Sequence, residues 1–203
     1  MAREKSELKS GMGKAMETLV SLIEEVEDLG CSDDDIRRIK TNKALRRQIA
    51  ELIVSDRVIC GRHNVVVDYG MSLADMIDIG RYDWKNNDIM TKHFPISGSG
   101  TSETEIVLFQ FNKGMSTDAV LAELDKRGFR AATLPELLAL GADQPELQRQ
   151  FPIIALGSVW RRPDGNRNVA CLGRRDAERF LLLDWYEFVW CGVCRFAAVR
   201  KSA

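Results

Sequence analysis

Apolar residues in the first quarter of the chain recur every third or fourth position. Met12, Met16, Leu19, Val20, Ile23 and Val26 form one such stripe, Ile36 and Ile39 a short second one, and Leu45, Ile49, Leu52 and Ile53 a third. That period places each set on one face of an α-helix. Gly30 suits the position just past a helix end. Ser32, followed by Asp33, Asp34 and Asp35, suits the start of the next helix, where carboxylates face the positive end of the dipole. Residues 1–56 are therefore expected to be a helical N-terminal module. Sustained heptads are missing, so a small helical bundle or hairpin is expected ahead of a coiled-coil dimer, and these helices are the expected route to any homo-oligomer.

The pattern changes after residue 56. Arg57–Gly61 and Asn64–Asp68 are short and β-branched and read as two strands. Leu73, Met76 and Ile77 mark one or two helical turns between Ser72 and Gly80. Ser97-Gly-Ser-Gly-Thr-Ser102 reads as a flexible loop inside one domain, because strand-like sequence flanks it. Glu103–Phe111 alternates as a strand. Ser116 is placed to cap a helix through Val120 and Leu124 to Gly128. Thr133-Leu-Pro-Glu136 has the spacing of a capping box, with a helix running to Gly141. Phe151–Trp160 reads as an apolar strand, and Pro163-Asp-Gly-Asn as a turn. The rest, to Arg200, reads as short strands and loops. The predicted class is α+β, with residues 57–203 forming one domain of mostly antiparallel strands and two helices.

Composition narrows the function classes. The chain has 203 residues, a net charge of -1, 45% hydrophobic and 29% charged residues, the balance of an ordinary globular protein. Near-neutral charge argues against a dedicated nucleic-acid binder. No run of about 18 apolar residues occurs, so no membrane partner is expected, and the charged N-terminus has no apolar signal core. The expected compartment is the cytoplasm. Five cysteines, Cys31, Cys60, Cys171, Cys191 and Cys194, do not read as a disulfide framework in that setting.

Four patterns in the chain bear on catalytic or metal chemistry. Cys191-Gly-Val-Cys194 has the spacing of half a zinc site or of a redox pair. No second such motif supplies further ligands, and no βαβ context surrounds it. His63, read as lying in a polar turn, and His93 have no nucleophile motif near them. Gly11-Met-Gly13-Lys14 lacks the leading glycine of a phosphate loop. The aspartates at 33–35 are explained by their helix start. No catalytic residue, metal or cofactor is expected. The segment from Gly157 onward carries Trp160, Trp185, Trp190, Tyr186, Phe188 and seven arginines between Arg161 and Arg195. That mixture is typical of binding hot spots and also suits stacking on single-stranded nucleic acid.

Three motifs carry a resemblance. Gly128-Phe-Arg-Ala-Ala-Thr-Leu-Pro-Glu136, Gly157-Ser-Val-Trp160 and Arg195-Phe-Ala-Ala-Val-Arg200 occur in that order. They resemble the strand-to-helix passage, the Gly-Ser-x-Trp strand and the closing strand of C-type-lectin-like domains of the formylglycine-generating-enzyme type. Within that class the chain resembles the variable proteins of diversity-generating retroelements, bacterial proteins whose hypervariable cassette lies just before the last strand. The resemblance implies a framework of Trp185, Trp190, Arg195 and Phe196. It implies a variable, ligand-binding surface of Asp184, Tyr186, Phe188, Val189, Cys191, Gly192, Val193 and Cys194, all residue types that an asparagine codon reaches when only its adenines change. Glu187 is not such a type. The closing motif departs from the family pattern, having Arg-Phe where relatives have Gly-Phe-Arg. The cysteines do not match the active pair of the formylglycine-generating enzymes.

The expected function is therefore non-enzymatic: binding of a protein or other macromolecular ligand through a diversified C-terminal surface. Two alternatives stand beside it. One is a metal- or thiol-dependent enzyme using Cys191 and Cys194. The other is a single-stranded nucleic-acid binder using the Arg/Trp-rich C-terminus.

Overall fold

The computed structural model describes residues 20, 21, 23–25, 27–30, 32–56 and 58–201. The chain divides into two compact units, Met1–Val54 and Ser55–Ala203. Every described position from 20 to 28 is helical, and Gly30 follows with φ +80°, the left-handed conformation that glycine adopts without strain. The stripe residues Met12, Met16, Leu19 and Val26 and the Gly11–Lys14 segment lie outside the described residues, as does Cys31.

Helix α1 (Asp33–Thr41) starts at Ser32, whose amide and hydroxyl both donate to the Asp35 carboxylate, at 3.1 and 2.9 Å. Asn42 ends it, and its side chain accepts from the Leu45 amide at 3.1 Å, opening α2 (Lys43–Asp56). Asp35 is thus the capping member of the acidic cluster, and Asp34 pairs with Arg37 at 3.5 Å.

The second unit is built on a sheet whose strands lie in the order 59–68, 101–109, 195–200, 153–161, 167–175, 178–185 and 84–85. Its long strands are β1 (Ile59–Asp68), β3 (Thr101–Phe109), β6 (Ile153–Arg161), β7 (Arg167–Arg175), β8 (Glu178–Trp185) and β10 (Arg195–Arg200). The two-residue β2 (Trp84–Lys85) adds an edge. A small ladder joins β4 (Met115–Ser116) to β9 (Val189–Trp190), and β5 (Phe129–Ala131) pairs with β10. Among the described residues only β10–β6 and β2–β8 are parallel. The helices are α3 (Leu73–Ile79), α4 (Thr117–Lys126), α5 (Leu134–Asp143) and α6 (Leu147–Gln150).

Both faces of this sheet are covered. On one, Ile106, Leu108, Ile153, Ala155, Leu172 and Leu181 pack with α3, α5 and Trp160. On the other, Val107, Phe109, Ile154, Cys171 and Phe196 pack with α4 and with Met115, Tyr186 and Trp190. Double coverage explains why the middle of β7, Val169–Gly173, is an unbroken apolar run. It also explains why the segment after Gly165, expected as short strands and loops, instead forms the long β7–β8 hairpin. The two strands expected between residues 57 and 68 are one strand with a register shift between Ile59 and Gly61. His63 lies within that strand and not in a turn. Gly141, expected to end α5, sits inside it. A side-chain carbon there would stand 2.4 Å from the Tyr82 hydroxyl, so this glycine serves a close approach.

The three motifs meet at one place. One edge of β10 bonds β3. The other is shared, with Arg195 and Phe196 pairing with β6 and Ala198–Arg200 pairing with β5. Strand β6 leaves at its irregularity between Ala155 and Val159. There the Gly157 amide donates to Ala132 O at 2.9 Å, and the Ala132 amide donates to Ala197 O at 2.9 Å. Ser158 Oγ accepts from the Leu134 amide at 2.9 Å, at the start of α5. Trp160 is buried, its ring stacked 4.0 Å from that of His93. Glu136 is fully buried. It accepts from Arg130 through both oxygens (2.9 and 2.6 Å), from the Thr133 amide (2.6 Å) and from the Tyr69 hydroxyl (3.1 Å).

Candidate functional site

The stretch expected to bind a ligand runs from the end of β8 through β9 to the start of β10. The β8 strand is held by its ladder to β7 as far as the Asn168–Trp185 pair. Beyond it the chain turns at Glu187, whose carboxylate pairs with Arg167 at 2.7 Å, and enters β9, which pairs with β4 through Met115–Trp190 and Ser116–Val189. Thr117, at the start of α4, ties the segment down. Its hydroxyl donates to the Tyr186 carbonyl and accepts from Trp190 Nε1 at 2.8 Å.

The structure divides the eight expected contact residues. Phe188 (48% exposed), Val189 (73%) and Val193 (60%) point to solvent, and Cys191 is exposed. Gly192 is half-buried against the Asn112–Lys113 backbone, where a side-chain carbon would come within 3.1 Å. Asp184 is half-buried beside the Cys171 thiol, and burial raises its carboxyl above the ordinary range. Tyr186 and Cys194 are buried, which corrects the expectation that they face a partner. The Tyr186 ring packs in the core under the Arg167 guanidinium at 3.8 Å, and its hydroxyl donates to Asp118 at 3.1 Å. Burial, and then the Asp118 carboxylate, push its phenol up.

The expected framework is corrected at one position. Trp190 and Phe196 are buried and Arg195 is half-buried, but Trp185 is 40% exposed at the rim of the sheet. Trp185 belongs with Phe188, Val189 and Val193 as an outward apolar side chain. Thr117, Asp118 and Gln110, which hold the segment from below, carry no motif. They lie about 70 to 80 positions away in sequence and only the fold brings them here.

Cys191 and Cys194 face each other across a tight turn, with their sulfurs 3.4 Å apart and the Cys194 amide donating to Cys191 O at 3.1 Å. Gln110 Nε2 donates to Gly192 O at 2.8 Å and holds the turn. Among the described residues no group of three His, Cys, Asp or Glu side chains is placed to hold a metal ion, and no helix is long and apolar enough to cross a membrane. His63 is lowered by burial. His93 is engaged with Trp160 and with the Asp88 carbonyl. A groove of about 390 Å³ between β1, α3 and α5 is lined by Val65, Met71, Met76 and Leu138, with Asp68 and Asp143 as its acidic members. It shares no residue with the C-terminal stretch.

The chain matches no protein-family model, no curated protein and no solved structure.

Proposed function

We propose that this protein is a non-enzymatic binding protein that presents its β8–β9–β10 stretch to a protein or other macromolecular partner from a C-type-lectin-like scaffold. The observation that carries this reading is the concentration of outward apolar side chains between Trp185 and Val193. Trp185, Phe188, Val189 and Val193 are all at least 40% exposed, in a unit whose other apolar residues mostly fill two cores. Exposed apolar side chains grouped in this way mark interaction sites. Aromatic members add contact area at low entropic cost. The ladder to β4 and the Thr117 hydrogen bonds hold the stretch in place before any partner arrives, which lowers the ordering cost of binding.

Two further observations support the scaffold. The segments resembling the strand-to-helix passage, the Gly-Ser-x-Trp strand and the closing strand adopt those conformations and bond to one another around Ala132. The proposed variable stretch lies directly before the closing strand, where variable proteins of diversity-generating retroelements carry their cassette. The contact set is Trp185, Phe188, Val189, Cys191 and Val193, with Asp184 and Gly192 partly accessible.

Sequencing the gene's surrounding locus tests diversification. The expected finding is a noncoding copy of the DNA for about residues 160–196, differing from the gene almost only where the copy has adenine, beside a reverse-transcriptase gene. Differences clustered at the codons of buried Tyr186 and Cys194, and absent from those of Phe188, Val189 and Val193, would overturn the assignment of the contact surface. Absence of any copy would overturn diversification.

A further inference from the structure

Cys191 and Cys194 are arranged unequally. Cys191 is exposed, whereas Cys194 is 6% exposed and packed in the core with Phe111, Trp190 and Phe196. Their sulfurs are already in contact at 3.4 Å. Three constraints keep them so: the Cys194 amide to Cys191 carbonyl bond, the Gln110 to Gly192 bond, and the seat of Gly192 against the Asn112–Lys113 backbone. A disulfide needs a sulfur separation of about 2.05 Å. Closing the remaining gap takes movement of the exposed Cys191 side chain and leaves the buried partner in place.

We infer that this turn is a thiol–disulfide exchange site in which Cys191 attacks a small-molecule disulfide of the glutathione type and Cys194 resolves the adduct. In the first step the Cys191 thiolate forms a bond to one sulfur of oxidised glutathione, whose sulfur–sulfur bond breaks, and one glutathione thiolate leaves. In the second, Cys194 gives up its proton to solvent and attacks Cys191 Sγ, and the second glutathione leaves as a thiolate that takes up a proton. Two protein thiols are oxidised to one disulfide, and one glutathione disulfide is reduced to two thiols. The reverse sequence reduces the pair.

The chemistry matches the division of roles. The attacking group must be accessible and ionised at moderate pH. A hydrogen bond from the Cys194 thiol stabilises the Cys191 thiolate and lowers its pKa from the ordinary thiol value. Burial, and then the contact with Cys191, push Cys194 up to about 12. The nearby Asp184 carboxylate acts in the same direction, so Cys194 stays protonated until the adduct forms beside it. Cys171 is fully desolvated and raised well above the ordinary value, which makes it inert to exchange. Cys60 is exposed in β1, but its thiol donates to the Leu108 carbonyl at 3.3 Å and partial desolvation raises it above the ordinary value. This site does not depend on the binding role of the surrounding face.

The test equilibrates the full-length protein in a series of reduced and oxidised glutathione mixtures, quenches with an alkylating agent and maps the peptides by mass spectrometry. In the wild type, Cys191 and Cys194 are expected to lose alkylation together in one two-electron transition, their peptide becoming lighter by two hydrogens. Cys194→Ser should instead hold one glutathione on Cys191. Cys191→Ser, a change at an exposed position, should leave Cys194 free of glutathione. Independent alkylation of the two cysteines at every ratio would overturn the inference. So would equal glutathione adducts on the wild type and Cys194→Ser, or copurifying metal that shields the pair until chelated. The wild-type transition decides the matter if Cys194→Ser does not fold.

Discussion

The amide of Gly157 donates to the carbonyl of Ala132 at 2.9 Å, and a side-chain carbon at position 157 would lie 2.6 Å from that same oxygen and 2.6 Å from the Ala131 carbonyl. The contact joins the strand that leaves the sheet at β6 to the strand that replaces it at β5. It requires glycine for reasons of space, with no appeal to its conformational freedom. The two obstructing atoms are backbone, so they cannot swing aside as a flexible side chain would.

Gly157→Ala is therefore expected to destabilise the second unit by about 1–3 kcal/mol, the range of core overpacking. An unobstructed glycine-to-alanine change in a strand would stabilise by up to about 1 kcal/mol. Urea denaturation followed by tryptophan fluorescence measures the difference. A midpoint equal to or above that of the wild type would show that β5 and β6 are not locked together here.

The Glu136–Arg130 pair makes stability depend on acid. Burial alone would raise Glu136, but the Arg130 guanidinium and the Thr133 amide outweigh it and hold the carboxyl below its ordinary value of 4.5. A carboxyl lowered on folding contributes its full stabilisation above the unfolded value. That contribution fades as pH falls through the folded one. The wild-type urea midpoint should therefore hold near neutrality and drop below about pH 4.5. Glu136→Gln should be less stable at pH 7, because it leaves Arg130 without its partner, and should show a shallower loss in acid. Parallel pH profiles for the two proteins would remove Glu136 as the cause.

The C-terminal stretch should separate into two classes on substitution. Phe188→Ser, Val189→Ser and Val193→Ser remove exposed side chains, and each should change stability by no more than about 0.5 kcal/mol. Tyr186→Ala empties a core position, with an expected cost of about 3 kcal/mol or more. Chemical denaturation of the four variants checks this. A large loss from the three serine variants would show that these side chains pack against something within the fold and are not free for a partner.

Much of the framework was legible in the sequence, because local chemistry dictates it. Ser32, Ser72, Ser116 and Thr133 each precede a helix, and Glu136 follows Thr133 at the capping-box spacing. Leu73, Met76 and Ile77 face the core as their spacing requires. Pro163-Asp-Gly-Asn forms its turn, with Gly165 at φ +89°. These features depend on neighbours within a few residues, so the sequence carries them directly.

The rest was decided by contacts between distant positions. Arg179 reads as one surface arginine among seven, but it is buried. It donates to the carbonyls of Gly80 and Gly141 and to the Gln148 side chain, beneath the Tyr82 ring. Local pattern gives no hint of that set, because its members come from four separate segments. The same holds for the C-terminal stretch. Composition and codon type put Tyr186 and Phe188 in one class, but Thr117 and Asp118 draw Tyr186 inward and leave Phe188 outside. By itself the amino-acid sequence determined where helices begin, which positions are apolar and that Cys191 and Cys194 are close along the chain. Only the tertiary structure decided which of those side chains meet solvent and which thiol is buried, because burial is set by the elements that pack against a residue and not by its own neighbours in sequence.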